Sequence, residues 1–165
     1  METKKLYDRK YFQASKKFQK GKSRLEELQK SVLSYSPRKV LDVGCGIGFL
    51  VRSLRRQGLE AYGVDFSEDL PGTFWGPEED FFIVLNAKNI PFGDKEFDVV
   101  VSSDFFEHLP DGDIDQVLSE MKRVGKKVLA RVSYRVPLTP KQSMYHISNQ
   151  TKEWWEKRLP EVTLI

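Results

Sequence analysis

Three glycines, Gly44, Gly46 and Gly48, alternate through the stretch "DVGCGIGF". Glycine is unfavourable inside a helix or strand, so three together mark a turn where something comes close to the main chain. An apolar run, "KVLDV", precedes the turn and a stretch with helical spacing follows it. Strand, glycine turn and helix together place backbone N–H groups at a helix start, facing the sheet edge where open α/β folds bind ligands. Two phosphate-binding patterns fit poorly. The dinucleotide fingerprint G-x-G-x-x-G is one residue longer at its second gap, and no Gly-Lys-Ser/Thr follows as in a P-loop.

A second constellation is "SSDFFEHL". If a helix starts there, Asp104, Glu107 and His108 stand at i, i+3 and i+4 and share one face. The chain has two histidines; the other, His146, follows the fifth predicted strand, which brings it to the same sheet edge. Two carboxylates and two imidazoles converging there could move a proton. They could also bind a divalent cation such as Mg²⁺, Mn²⁺ or Zn²⁺, or hold a loop by hydrogen bonds. All three readings stay open, His108 and His146 are the candidate catalytic residues, and no residue is assigned as a metal ligand.

The elements that must position these residues follow from periodicity. Apolar positions recur at helical spacing from about Gln13 to Tyr35, and Pro37 ends that helix and restricts Ser36 to an extended shape. "KVLDV", "EAYGVD", "FFIVLN", "FDVVVSS" and "KKVLARVSY" read as five strands. "IGFLVRSLRRQG" reads as a helix stopped by Gly58, and "DGDIDQVLSEMKRVG" as one opened by acids and closed by Gly125. "SNQTKEWWEKRL" reads as a last helix, and "VTLI" as a short sixth strand. Near-continuous apolar strands alternating with helices predict a doubly wound, mostly parallel α/β sheet.

The 165 residues fit one domain, with 1–36 a helical lead-in, 37–134 the binding core and 135–165 a substrate-side segment. Net charge is only +3, too little to mark a nucleic-acid binder, although Lys4 to Arg24 is crowded with basic residues. The single cysteine, Cys45, excludes an internal disulfide framework and fits a reducing compartment. The N-terminus lacks the apolar core of a signal peptide, and no run reaches the roughly 18 apolar residues of a membrane span. The expectation is a cytoplasmic protein without membrane contact.

The tight G-x-G-x-G spacing after Asp42 resembles the first motif of class I S-adenosylmethionine-dependent methyltransferases. "GVDFS" is similar to the second motif, which implies that Asp65 binds both ribose hydroxyls, with Phe66 beside it. "NAKNIPF" stands where the family often has Asp-Ala-x-x-Leu-Pro-Phe, which implies that Asn86 contacts the adenine amine next to Ala87. An amide oxygen can still accept that bond. "FDVVVSSDFFEHL" looks like the fourth-strand motif, which implies that Ser102 and Ser103 line the methionine end. Asp42, Gly44, Cys45, Gly46 and Gly48 complete the implied cofactor site, Cys45 through its backbone. The resemblance runs from about Arg38 to Tyr134 and implies S-adenosylmethionine as cofactor and S-adenosylhomocysteine as product. The acid-x-x-Glu-His motif is also similar to that of metal-dependent members acting on RNA 2′-hydroxyls and ubiquinone precursors.

Departures from the family pattern carry their own expectations. "FSEDLPGTFWGPEED" is broken by Pro71, Gly72, Gly76 and Pro77, so a loop carrying Phe74 and Trp75 is expected where the family has a helix. The family sheet has seven strands and this chain ends where the sixth would begin. Either "VTLI" closes a short sheet, or a second copy covers the edge. Acceptor contacts would come from the N-terminal aromatics, the Phe74–Trp75 loop and the segment after the fifth strand. The leading expectation is methyl transfer to an O, N or C atom of a small molecule. The alternatives are an inactive cofactor-binding scaffold and an RNA methyltransferase using the basic arm.

Overall fold

The structure, a computed structural model, describes residues 7–18, 22–134 and 145–165. Parts of the basic Lys4–Arg24 segment, and positions 135–144 of the expected substrate-side segment, lie outside the described residues.

Six strands form one sheet: β1 (Lys39–Val43), β2 (Glu60–Asp65), β3 (Phe82–Val84), β4 (Phe97–Ser103), β5 (Gly125–Arg131) and β6 (Thr163–Leu164). Their order is β3-β2-β1-β4-β5-β6, and every pairing is parallel. From β1 the chain steps outward through β2 and β3, then returns to the other side of β1 for β4. The strand order therefore reverses between β1 and β4, where open α/β sheets leave a crevice at the carboxyl ends. Helix α3 (Phe49–Arg56) connects β1 to β2 and α4 (Asp111–Val124) connects β4 to β5. Helices α1 (Arg9–Phe18) and α2 (Lys22–Leu33) precede the sheet, and α5 (Lys152–Arg158) leads into β6.

Side-chain alternation divides the core between the two sheet faces. Val40, Ala61, Val99, Val101 and Leu129 pack with Val32, Val51 and Leu54 on the α2–α3 side. Leu41, Val64, Val100, Val128 and Ala130 pack with Ile114, Met121 and Trp155 on the other. The α4–β5 junction has no loop. Gly125 is at once the C-cap of α4 and the first residue of β5, with extended φ −107° and ψ 140°. A Cβ there would sit 2.5 Å from Val100 Cγ2, so close approach to β4 requires this glycine.

Several boundaries differ from the sequence reading. Against the one helix expected from Gln13 to Tyr35, the described residues are helical over Arg9–Phe18 and Lys22–Leu33, with 19–21 outside them, and the start lies earlier, inside "YDRKYF". Ser36 is not extended. Its φ of +48° closes the end of α2, and its N–H donates to Leu33 O at 2.9 Å. "VTLI" does close the sheet: Leu129 pairs with Thr163 and Ala130 with Leu164.

The loop between β2 and β3 has no helix, and two side chains tie it to the glycine turn. Trp75 is buried, stacks on Phe82 at 4.8 Å and donates its indole N–H to Gly46 O at 3.0 Å. It is therefore a core residue, not an acceptor contact. Arg52 on α3 pairs with both Glu79 oxygens at 2.5 and 2.7 Å, donates to Phe74 O at 2.8 Å and also bonds Ile47 O. One guanidinium thus serves two carbonyls and a carboxylate, whose Oε2 also accepts the Gly76 N–H at 2.7 Å. Arg52→Met keeps the apolar stem and removes all four bonds. It should destabilise the fold by about 1–3 kcal/mol, measured by urea unfolding. Unchanged stability would show that the loop is held by Trp75 alone.

Candidate active site

A cleft of about 1140 Å³ opens at the carboxyl ends of the strands, beside the strand-order reversal. Its floor is the glycine turn. Gly44, Gly46 and Gly48 all have positive φ, between +52° and +82°. A Cβ at Gly44 would lie 2.4 Å from the Phe105 ring, and one at Gly48 would lie 2.1 Å from Phe82. At these two positions the close neighbours are the protein's own aromatic rings. Gly46 is the glycine turned to the open side, and its nearest neighbour, Phe12, would be 3.7 Å from an added Cβ. Gly44, Cys45 and Gly46 line the cleft while Gly48 lies behind it, capping α3.

Four N–H groups of the turn are taken up within the protein. Gly44 and Cys45 donate to Val64 O at 2.9 and 3.1 Å. Gly46 donates to Asp65 Oδ2 at 2.9 Å, and Gly48 to Cys45 O at 3.0 Å. The parallel neighbour β2 lies close enough to take them. The cleft receives carboxylates instead. Asp42, at the end of β1, and Asp65, at the end of β2, are both buried and both line it. Burial, then the nearby Asp65 charge, pushes the Asp42 carboxyl up to about 7. Burial also raises Asp65, against the lowering effect of N–H bonds from Ser67 and Gly46. Cys45 is a buried filler whose thiol burial pushes well up, and a Cβ at Gly63 would meet its Sγ at 2.8 Å.

Leu85, Asn86 and Ala87 form the wall after β3, and Phe66 the wall after β2. Asn86 Oδ1 already accepts the Lys88 N–H at 3.0 Å, which fixes the amide in a turn. Ser103 lines the cleft, but Ser102 does not: it is fully buried on the α4 side and its hydroxyl has no partner. Adjacent strand residues point to opposite faces, so the two serines could not both reach the ligand.

The expected helix at "SSDFFEHL" is a single 3₁₀ turn, Phe106–His108, and Asp104 lies outside it with φ +51°. Asp104 is drawn toward β5, pairing with Arg131 at 3.0 Å and accepting from Ser133 Oγ at 3.3 Å. Glu107 is fully buried behind the cleft wall; one oxygen accepts the Ser133 N–H at 3.1 Å and Oε2 has no partner. Burial, then the Asp104 charge, pushes its carboxyl up to about 7. His108 and His146 both line the cleft, with ring centres 4.9 Å apart. His108 Nδ1 lies 2.8 Å from Tyr145 O. Burial lowers both imidazoles. The four residues therefore do not share one helical face. Among the described residues, no group of three or more His, Cys, Asp or Glu side chains is placed to hold a metal ion.

The roof was only partly legible in the sequence. Tyr7, Tyr11 and Phe12 close over the cleft with Tyr145. Tyr7 is the hub, with edge-on contacts to Tyr11 at 4.9 Å, Phe66 at 5.3 Å and His108 at 5.7 Å. Its carbonyl accepts from Ser67 Oγ at 2.9 Å. Burial pushes its phenol far above the usual range, so it stays protonated. The i, i+4 spacing of Tyr7 and Tyr11, and of Asp8 and Phe12, is the signal that reveals this helix start.

Similarity to known proteins converges on the same region. The methyltransferase domain family matches residues 41–128, just over half of the chain. Ubiquinone biosynthesis O-methyltransferase of Methylococcus capsulatus is 38% identical over 84 residues, 47% of this chain and 35% of that protein. Demethylmenaquinone methyltransferase of Thermotoga maritima is 35% identical over 111 residues, 66% of this chain and 46% of that protein. The chain thus spans less than half the length of these curated relatives. Among solved structures, the PH0226 protein of Pyrococcus horikoshii is 36% identical with a TM-score of 0.54, covering 63% of this chain and 52% of that one. A SAM-dependent methyltransferase from Archaeoglobus fulgidus is 29% identical with a TM-score of 0.58, covering 71% and 54%. The matched residues include β2, β3 and β4, most of β1 and β5, the glycine turn and the strand-end acids Asp42 and Asp65, and the chain belongs to the methyltransferase domain family.

Proposed function

We propose that the chain binds S-adenosylmethionine in this cleft and transfers its methyl group to a small-molecule acceptor. One observation carries the reading. The floor presents two buried carboxylates, Asp42 and Asp65, while the N–H groups of Gly44, Cys45, Gly46 and Gly48 are already bonded within the protein. Such a floor repels a pyrophosphate and suits a cation that carries a diol. S-adenosylmethionine has an ammonium, a sulfonium and a ribose, and when bound it supplies an activated methyl group with a neutral leaving group.

The chain's own residues then bind and orient. Asp65 keeps lone pairs for ribose hydroxyls beyond the two N–H bonds it accepts. Asp42 supplies negative charge beneath the ammonium. Phe66, Asn86 and Ala87 flank the adenine, and Ser103 borders the methyl-transfer end. The tyrosine roof excludes water and holds an acceptor in line, which is most of what this chemistry asks of a protein. His108 and His146 are the acid–base candidates. A small-molecule acceptor agrees with relatives named for quinone biosynthesis. Binding without turnover on any acceptor would favour the scaffold alternative, and steep loss of acceptor binding with salt would favour RNA.

Asp65→Ala should weaken S-adenosylmethionine binding by about 1.5–3 kcal/mol, roughly 10- to 150-fold. Isothermal calorimetry checks this, and unchanged affinity would overturn the site assignment.

The Asp42 carboxyl predicts the pH dependence. In the free protein it is pushed up to about 7, so below that pH it is mostly protonated. A cationic ligand favours the ionised form, so binding there releases a proton. Affinity should fall as pH drops through about 7, by at most about tenfold per pH unit. Asp42→Asn should flatten the curve at the lower plateau. Calorimetry in buffers of different ionisation heat counts the proton, and zero release at about pH 6 would contradict the assignment.

A further inference from the structure

Two buried polar atoms near the histidine end of the cleft have no hydrogen-bond partner: Glu107 Oε2 and His146 Nδ1. The segment that carries His146 is tied to Glu107 by the Ser148 N–H, which donates to the Glu107 carbonyl at 3.0 Å, and the His146 ring stands 4.9 Å from that of His108, the residue after Glu107. A buried acceptor without a donor is unfavourable, and so is a buried imidazole nitrogen without a partner. Each group is what the other lacks. We propose that Glu107 is the positioning residue for His146, accepting the His146 Nδ1–H and thereby making His146 the base that takes the acceptor's proton. This deepens the methyltransferase reading and rests on it.

The rest of the site supports the assignment. Glu107 is fully buried and does not line the cleft, whereas His146 does. The carboxyl is itself fixed, because Oε1 accepts the Ser133 N–H at 3.1 Å and the Glu107 carbonyl accepts the Ser148 N–H at 3.0 Å. With Nδ1 turned inward and protonated, Nε2 is the edge of His146 left for the cleft, and it carries a lone pair. His108 does not compete for this role. Its Nδ1 lies 2.8 Å from the Tyr145 carbonyl, and the Tyr7 ring packs edge-on against it. His108 thus holds the 145–146 segment against the turn after β4.

The step is a simple proton transfer. The acceptor's O–H bond breaks, the proton goes to His146 Nε2, and the electron pair stays on the oxygen that takes the methyl group. Glu107 stabilises the imidazolium so formed. Such a base is needed only for an acceptor that must lose a proton, so the pair selects weakly acidic hydroxyls over neutral amines and thioethers, which attack through a lone pair. The rings of Tyr7, Tyr11 and Tyr145 above it fit a flat apolar body bearing that hydroxyl.

Ring-¹⁵N NMR of the full chain tests the pair without any acceptor, since only two imidazoles give signals. The groups facing His146 are Glu107, His108 and Asp104. In wild type, His146 should show the Nδ1-protonated tautomer above its titration midpoint. Glu107→Gln should move that midpoint down by about half a pH unit or more and leave His108 nearly unmoved. An Nε2-protonated His146 in wild type, or a titration that Glu107→Gln leaves in place, would overturn the proposal; the wild-type tautomer decides even if the variant folds poorly. With catechol as the probe acceptor, Glu107→Gln should lower kcat roughly 10²-fold, leave S-adenosylmethionine affinity within about twofold and shift the pH–rate profile with the His146 midpoint. Failure of wild type to bind S-adenosylmethionine would instead sink the cofactor reading and leave the tautomer result standing.

Discussion

The close approach of two aromatic rings to the main chain of the glycine turn governs the site. Phe105, after β4, and Phe82, in β3, occupy the spaces where side chains of Gly44 and Gly48 would stand. Each ring comes from a strand on a different side of β1, so the turn is clamped from both. Any Cβ at either glycine would push the turn away from the sheet, and positive φ at both positions would add strain. The clamp brings the turn against β2, where Val64 and Asp65 absorb its N–H groups. The polar character of the cleft floor follows: the N–H groups of Gly44, Cys45 and Gly46 are taken, and the carboxyl groups of Asp42 and Asp65 remain.

The loop between β2 and β3 shows how the clamp survives without a covering helix. A helix there would shield Phe82 and the back of the turn. Trp75 takes that place by stacking on Phe82, and Arg52 bonds the carbonyls of Ile47 and Phe74 from beneath. A short irregular loop normally leaves carbonyls facing the core without partners. A guanidinium with five donors, already paired with Glu79, resolves that problem in one side chain.

Strands β1, β2 and β4 were legible to the residue because parallel strands covered on both faces read as continuous apolar runs. The glycine spacing and Asp65 marked the cleft for the same reason: their residue types answer to the local backbone. What sequence could not reveal depends on contacts distant in the chain. The N–H groups of the turn looked available, since nothing local tells that β2 takes them. Asp104, Glu107 and His108 looked coplanar on a helix, but Asp104 turns to Arg131 and leaves a single 3₁₀ turn. Trp75 looked like a loop aromatic, and its burial comes from Phe82 and Gly46. Ser102 was the avoidable miss, because strand alternation separates it from Ser103.

The strand order also separates two kinds of chemistry. The carboxylates Asp42 and Asp65 stand at the ends of β1 and β2, on one side of the reversal. The histidines are held by residues after β4 and β5, on the other. Burial, then the neighbouring Asp65 charge, pushes the Asp42 carboxyl up at one end, whereas burial lowers both imidazoles at the other. The reversal between β1 and β4 therefore does more than open a crevice. It sets the strand-end carboxyl groups proposed to meet a cation apart from the histidine proposed to take a proton, within one cleft.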